Sequence, residues 1–160
     1  LMIGGSNKRY SPQSIDYYNL SKSVTKTVKS MNGMLLVMPS RRTPNKAIKI
    51  LDTTFAKNLQ KYKMLSFCQN NPYPDILKIT DYVIVTSDSV NMISEIASLS
   101  IPLFIYSFPK ETGKILYFLN NLEKLRMIKF FKGKLFIYDK KKLETNKNTI
   151  LKVNEFLGLQ

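Results

Sequence analysis

Short, nearly uninterrupted apolar runs recur along this chain, and segments of helical period separate them. Tyr82-Val83-Ile84-Val85 and Leu103-Phe104-Ile105-Tyr106 are the strongest; Leu1 to Ile3, Met34 to Met38 and Met64 to Phe67 precede them, and Leu135 to Tyr138 follows as a short sixth. A strand with one wet face alternates apolar and polar residues, whereas these runs do not. They are therefore expected to be covered on both faces, which is the signature of a parallel sheet.

The intervening segments predict helices. Ser14 to Met31 carries Ile15, Tyr18, Val24, Val28 and Met31 at spacings that return to one face, and it stops at Asn32-Gly33. Thr43-Pro44 supplies a cap and a first-turn proline for a helix whose buried stripe is Ala47, Ile48, Leu51, Phe55 and Leu59. Pro72 to Ile79, Ser89 to Leu99 with Val90, Ile93 and Ala97 inward, Gly113 to Met127, and Leu143 to Leu157 before Gly158 complete the set. Strand and helix alternate throughout, so the expected fold is α/β: one Rossmann-like, doubly wound parallel sheet over residues 1–160, without repeat, linker or internal boundary. A domain of this kind that opens directly on its first strand reads as the second half of a longer architecture, truncated at its N-terminus.

Composition narrows the chemistry. The chain holds no His and a single Cys68, so common zinc sites, His-based triads and an internal disulfide framework are excluded, and no metal site is expected. No run approaches the length of a membrane-spanning helix and the start lacks a leader pattern, so a soluble, cytoplasmic protein is expected, with peripheral membrane contact as the alternative. The net charge of +14 is spread over nearly every segment, as on a solvated surface. Its densest runs are Lys61 to Lys63, Lys124 to Lys134, which includes Arg126, Phe130 and Phe131, and Lys140-Lys141-Lys142. The second could meet an anionic membrane. No RNA-binding aromatic signature or zinc-finger spacing accompanies it, which argues against nucleic acid.

Ligands of such a sheet bind beyond the carboxyl ends of the strands, where four segments fall. Gly4-Gly5-Ser6 permits close backbone approach and free N–H groups for a phosphate, or is simply a tight turn; it has neither dinucleotide nor Walker spacing. Arg41-Arg42 matches phosphate or carboxylate oxygens, or is solvated. Cys68 to Tyr73 follows the third strand. After the fourth, Asp88, Asn91 and Glu95 share a helical face beside a helix N-terminus, where a carboxylate could accept hydrogen bonds from a ribose diol. The alternative is Asp88 as an N-cap with Glu95 exposed.

The stretch Ile84-Val85-Thr86-Ser87-Asp88-Ser89-Val90-Asn91-Met92-Ile93-Ser94-Glu95-Ile96-Ala97, ending at Pro102, resembles the donor-binding segment of GT-B glycosyltransferases, above all the lipid II-forming N-acetylglucosaminyltransferase. Together with Gly4-Gly5-Ser6, Ser40-Arg41-Arg42-Thr43-Pro44, Asn71-Pro72-Tyr73 and Gly113-Lys114, the pattern resembles a GT-B-like family more closely. That family is the mitochondrial fission proteins: the plant "elongated mitochondria" protein and its alphaproteobacterial relatives. The resemblance spans roughly Ile3 to Gly133 and implies the C-terminal half of a GT-B glycosyltransferase, with a UDP-sugar donor as ligand and no cofactor. It implies that Glu95 binds the ribose, that Thr86, Ser87, Asp88 and Ser89 lie at the diphosphate with Arg41 and Arg42, and that Asn70, Asn71 and Tyr73 lie at the base. For the plant relatives it implies recruitment of a dynamin-type protein at the mitochondrial outer membrane.

Two departures qualify these implications. Ser89 stands where the transferases have Gly, and the acidic Asp88 before it would repel a diphosphate unless Arg41, Arg42 or a metal offsets it. The N-terminal GT-B half, which carries the acceptor site, is missing, so this chain alone is not expected to transfer sugar. The rival reading is a non-catalytic scaffold whose basic surface meets a membrane or a protein.

Overall fold

A computed structural model describes residues 1–5, 11–65, 73–109 and 113–143. Six strands pair into one sheet: β1 (Met2–Ile3), β2 (Leu35–Pro39), β3 (Tyr62–Met64), β4 (Val83–Thr86), β5 (Leu103–Tyr106) and β6 (Lys129–Phe130). Their order is β3-β2-β1-β4-β5-β6 and every pairing is parallel. The order reverses between β1 and β4, which makes their junction the topological switch point.

Alternation along each strand builds two cores. Ile3, Ile84 and Phe104 face one side with Leu35 and Val37, under α1 (Ser14–Ser30) and α2 (Asn45–Asn58). Met2, Val83, Val85, Leu103 and Ile105 face the other, under α3 (Tyr73–Lys78), α4 (Val90–Ala97) and α5 (Lys114–Lys124). Both faces of the central strands are thus dry, as their apolar runs require. Among the described residues no helix is long and apolar enough to cross a membrane.

Several expectations are corrected. The sixth strand is Lys129–Phe130, in register with Phe104 and Ile105, and not Leu135 to Tyr138. With that edge of β5 occupied, the later segment runs across the α1 side of the sheet as a cover. The Phe136 and Tyr138 rings meet Phe104 edge-on at 5.3 and 5.8 Å, and the Tyr138 hydroxyl donates to Leu103 O (3.0 Å) and accepts from Leu103 N–H (3.2 Å). Ile137 is left 82% exposed. In α1 the buried stripe is Tyr17, Leu20, Val24 and Val28, while Ile15, Tyr18 and Met31 face outward. A reciprocal box of Gln13 and Asp16 at its start sets that rotation, and Asn32 in the left-handed region (φ 48°) ends it as expected. Pro44, rather than Thr43, is the N-cap of α2, and Ile48 and Leu59 are only half-buried. Val90 is 38% exposed, its place in the core being taken by Ile96. The third strand is Tyr62–Met64 and shares only Met64 with its expected run, Leu65 lying beyond it; 66–67 and the expected helix from Glu144 onward lie outside the described residues.

The packing assigns energies. Phe104→Ala, which empties a fully buried ring site shared with Tyr82, Phe136 and Tyr138, is expected to cost about 3–5 kcal/mol in urea unfolding, whereas Ile137→Ser should change stability by less than about 0.5 kcal/mol.

Candidate functional site

The end of β1 is held by two threonines that the chain brings from different directions. Thr86, fully buried at the end of β4, accepts the Gly4 N–H at 2.8 Å across 82 residues. Thr43, buried in the loop before α2, accepts the Ser40 N–H at 2.8 Å and shares its one proton between the carbonyls of Ile3 and Gly4. The Gly4 peptide is therefore saturated on both sides, and its N–H is not free for a phosphate. Thr43, read from sequence as a helix cap, is instead the pin of the switch point; the only signal was its position just after a strand-end turn.

Both glycines are required by contact. A Cβ on Gly4 would collide with the Asp88 carboxyl group, and one on Gly5 with the backbone carbonyl of Arg42. Gly4, Gly5, Arg42, Thr86 and Asp88 thus converge at the junction of β1 and β4. Arg41 and Arg42 lie exposed on its rim.

Asp88 is neither an N-cap nor a member of an exposed stripe. The N-cap of α4 is Ser89, which makes no side-chain cap bond, so Asp88 precedes the helix and lies 4% exposed, while Asn91 and Glu95 face solvent. Among the described residues neither Asp88 carboxyl oxygen has a hydrogen-bond partner of good geometry. Burial raises its pKa, and the Thr86 hydroxyl, the amides of Asp88 and Gly5, and the Arg42 charge oppose that rise by favouring ionisation. Tyr17, which sequence reasoning placed on no face, sits nearby with its hydroxyl also unpartnered, and is pushed up to about 12 by burial and then by the Asp88 and Asp16 charges.

A second pair forms between α3 and α4. Glu95 on α4 lies against the Tyr73 hydroxyl on α3, whose pKa rises through burial first and the Glu95 charge second. The residues assigned by resemblance to ribose and base are thereby neighbours. Ser87 Oγ accepts from Phe108 N–H at 3.3 Å and Ser89 is buried, so both lie inside the wall. Ser6, Cys68, Asn70 and Asn71 lie outside the described residues. A separate cavity of about 320 Å³, lined by Met2, Leu36, Met38, Ile76 and Leu77, shares only Tyr73 with the expected site residues. No cluster of metal-ligating side chains occurs among the described residues.

Comparison with known proteins gives one family: the family described as mitochondrial fission ELM1 matches residues 1–155. An uncharacterized protein of Rickettsia prowazekii (strain Madrid E) is 34% identical over 110 residues, covering 68% of this chain and 31% of the relative. The chain thus aligns with less than a third of that protein. No solved structure matches.

Gly4→Ala should destabilise by about 1–3 kcal/mol, because the added methyl displaces a buried carboxyl held by surrounding strands. Asp88→Asn should act oppositely at neutral pH. A carboxyl whose folded pKa exceeds its unfolded value of 3.8 binds its proton better when folded, so its contribution is fully present below that value and is lost as pH rises through the raised folded pKa. The Asn variant should therefore show a flatter stability profile above pH 3.8 and a higher unfolding midpoint at neutral pH, measured by denaturation across pH.

Proposed function

Because the chain belongs to the mitochondrial fission ELM1 family, we propose that it is a nucleotide-sugar-binding domain of GT-B type, with the crevice between β1 and β4 as the seat of a UDP-sugar donor. The observation that carries this reading is the convergence of Gly4, Gly5, Arg42 and the start of α4 on the switch point, with Glu95 and Tyr73 paired alongside. An open parallel sheet binds ligands at that junction. Arg41 and Arg42 supply guanidinium forks for phosphate oxygens, and the uncapped first turn of α4 offers N–H groups to an anion. Exposed Glu95 accepts from a ribose diol, and the Tyr73 segment borders the base. Sugar transfer itself belongs, in this proposal, to a larger assembly with an acceptor-side half.

Calorimetric titration with UDP and UDP-sugars tests the reading. Wild type should bind at submillimolar to millimolar ligand, Glu95→Ala should weaken binding roughly ten- to hundredfold, and Glu95→Gln should retain part of it. Absence of binding by folded wild type at millimolar ligand would remove the donor site.

A second reading, a module that meets an anionic membrane, is favoured by the exposure of Phe136 and Ile137 in a segment that also exposes Lys132, Lys134, Lys141 and Lys142. Apolar side chains flanked by cations suit a headgroup interface. It predicts cosedimentation with anionic vesicles that is lost at high salt and is absent with neutral vesicles; equal binding to both would reject it.

A further inference from the structure

We infer that the α1 side of the sheet is a docking face for an anionic membrane, with α1 lying along the lipid surface. This deepens the membrane reading above, which concerns a single segment, and rests on it. Lysine is spread over nearly every segment of the sequence, but the fold sorts the charge by side. On one side, α1 and α2 carry six lysines against Asp16 and Asp52, a net +4. On the other, α3, α4 and α5 carry three lysines against Asp75, Glu95 and Glu123 and are neutral. Asp16 is buried and accepts the Gln13 N–H, which leaves Asp52 as the only exposed acid on α1 and α2.

The outer surface of α1 shows what this charge is arranged around. Ile15, Tyr18, Lys22, Lys26 and Lys29 share one helical face and all are exposed. The Lys22 ammonium lies 4.7 Å from the centre of the Tyr18 ring, so cation and aromatic occupy the same surface. The segment after β6 widens that surface: the Thr27 hydroxyl donates to Gly133 O at 2.9 Å, which sets exposed Lys132 and Lys134 beside the helix. Two features select a membrane over nucleic acid. The cations of α1, α2 and this segment are all lysines, point charges without the guanidinium fork that reads phosphates in a fixed geometry. Ile15, 59% exposed in the first turn of α1, is aliphatic and gains by entering the boundary between headgroups and acyl chains, whereas a phosphate backbone offers it nothing comparable. Docked in this way, the domain rests on a face of its sheet, and the crevice at the strand ends opens to the side.

The test is cosedimentation of the full chain at low salt with vesicles of phosphatidylglycerol and phosphatidylcholine in equal parts. Changing Lys22, Lys26 and Lys29 together to Gln should weaken binding on the order of ten- to a hundredfold. Changing Lys78, Lys114 and Lys124 together to Gln removes the same charge from the other side and should leave binding nearly unchanged. Equal losses in the two triple variants would mean attraction by net charge alone and would overturn the inference. Loss confined to Lys141→Gln with Lys142→Gln would overturn it and leave the segment reading standing; no binding by wild type would end both. The chain holds no tryptophan, so a single introduced one reports its own surroundings. The emission of Tyr18→Trp should shift to the blue with these vesicles, while that of Tyr117→Trp, exposed on α5, should not. A shift at both positions or at neither contradicts the docking face, as does duplex RNA binding with the same lysine dependence and no shift at Tyr18→Trp on vesicles.

Discussion

The Gly4 peptide, clamped between the hydroxyls of Thr86 and Thr43, is the constraint on which the arrangement of this domain turns. β1 contributes only Met2 and Ile3 to the sheet, yet it sits between β2 and β4 and links the two halves. Two residues cannot hold a central position by ladder bonds alone. The threonines extend the strand's hydrogen bonding past its end, one from each half, and bring the loops after β1, β2 and β4 to a common point. Buried hydroxyls serve here because each satisfies a backbone group that would otherwise be left unpaired in a dry junction.

The fold was legible because burial on two faces leaves an unmistakable trace in composition. Four strands fall where apolar runs predict them, the third shares only Met64 with its predicted run, and the helices between them follow. Leu135 to Tyr138 shows the limit of that signal: it has a strand's residues and sets the Phe136 and Tyr138 rings against Phe104, but Phe136 stays exposed and the neighbouring edge was already filled by Lys129–Phe130, a run too short and too polar to stand out. Composition reports contact with a core and is silent on who holds the ladder. In α1 the choice between Tyr17 and Tyr18 depended on where the Gln13 and Asp16 box set the first turn, a rotation that hydrophobic spacing leaves open.

The candidate site divides in the same way. Gly4, Gly5, Arg42, Tyr73 and Glu95 were nameable because their chemistry is unusual at strand ends. The helical spacing that joined Asp88 to Asn91 and Glu95 failed because Asp88 precedes the helix, and a residue before the N-cap does not follow its period. Charge was misleading for a related reason. Lys140 reads as one of three surface lysines, yet its ammonium donates to the carbonyls of Ala97 (3.0 Å) and Ile96 (3.4 Å), and also to Leu99 O, at the C-terminal end of α4. Partial burial and then the Lys142 charge lower its pKa to about 8. One lysine of the run is thus a structural cap, while its neighbours remain in water.

The bond from Gly4 to Thr86 joins positions 82 residues apart, with both strands of the first half lying between them in sequence. During synthesis, β1 and β2 can pair behind α1 long before β4 leaves the ribosome, and for that interval one edge of β1 has no neighbour. Closing so long a loop comes late in folding, because its entropy must be met before any contact rewards it. The junction between β1 and β4 is consequently closed late, and the β1 edge stays uncovered until β4 has emerged.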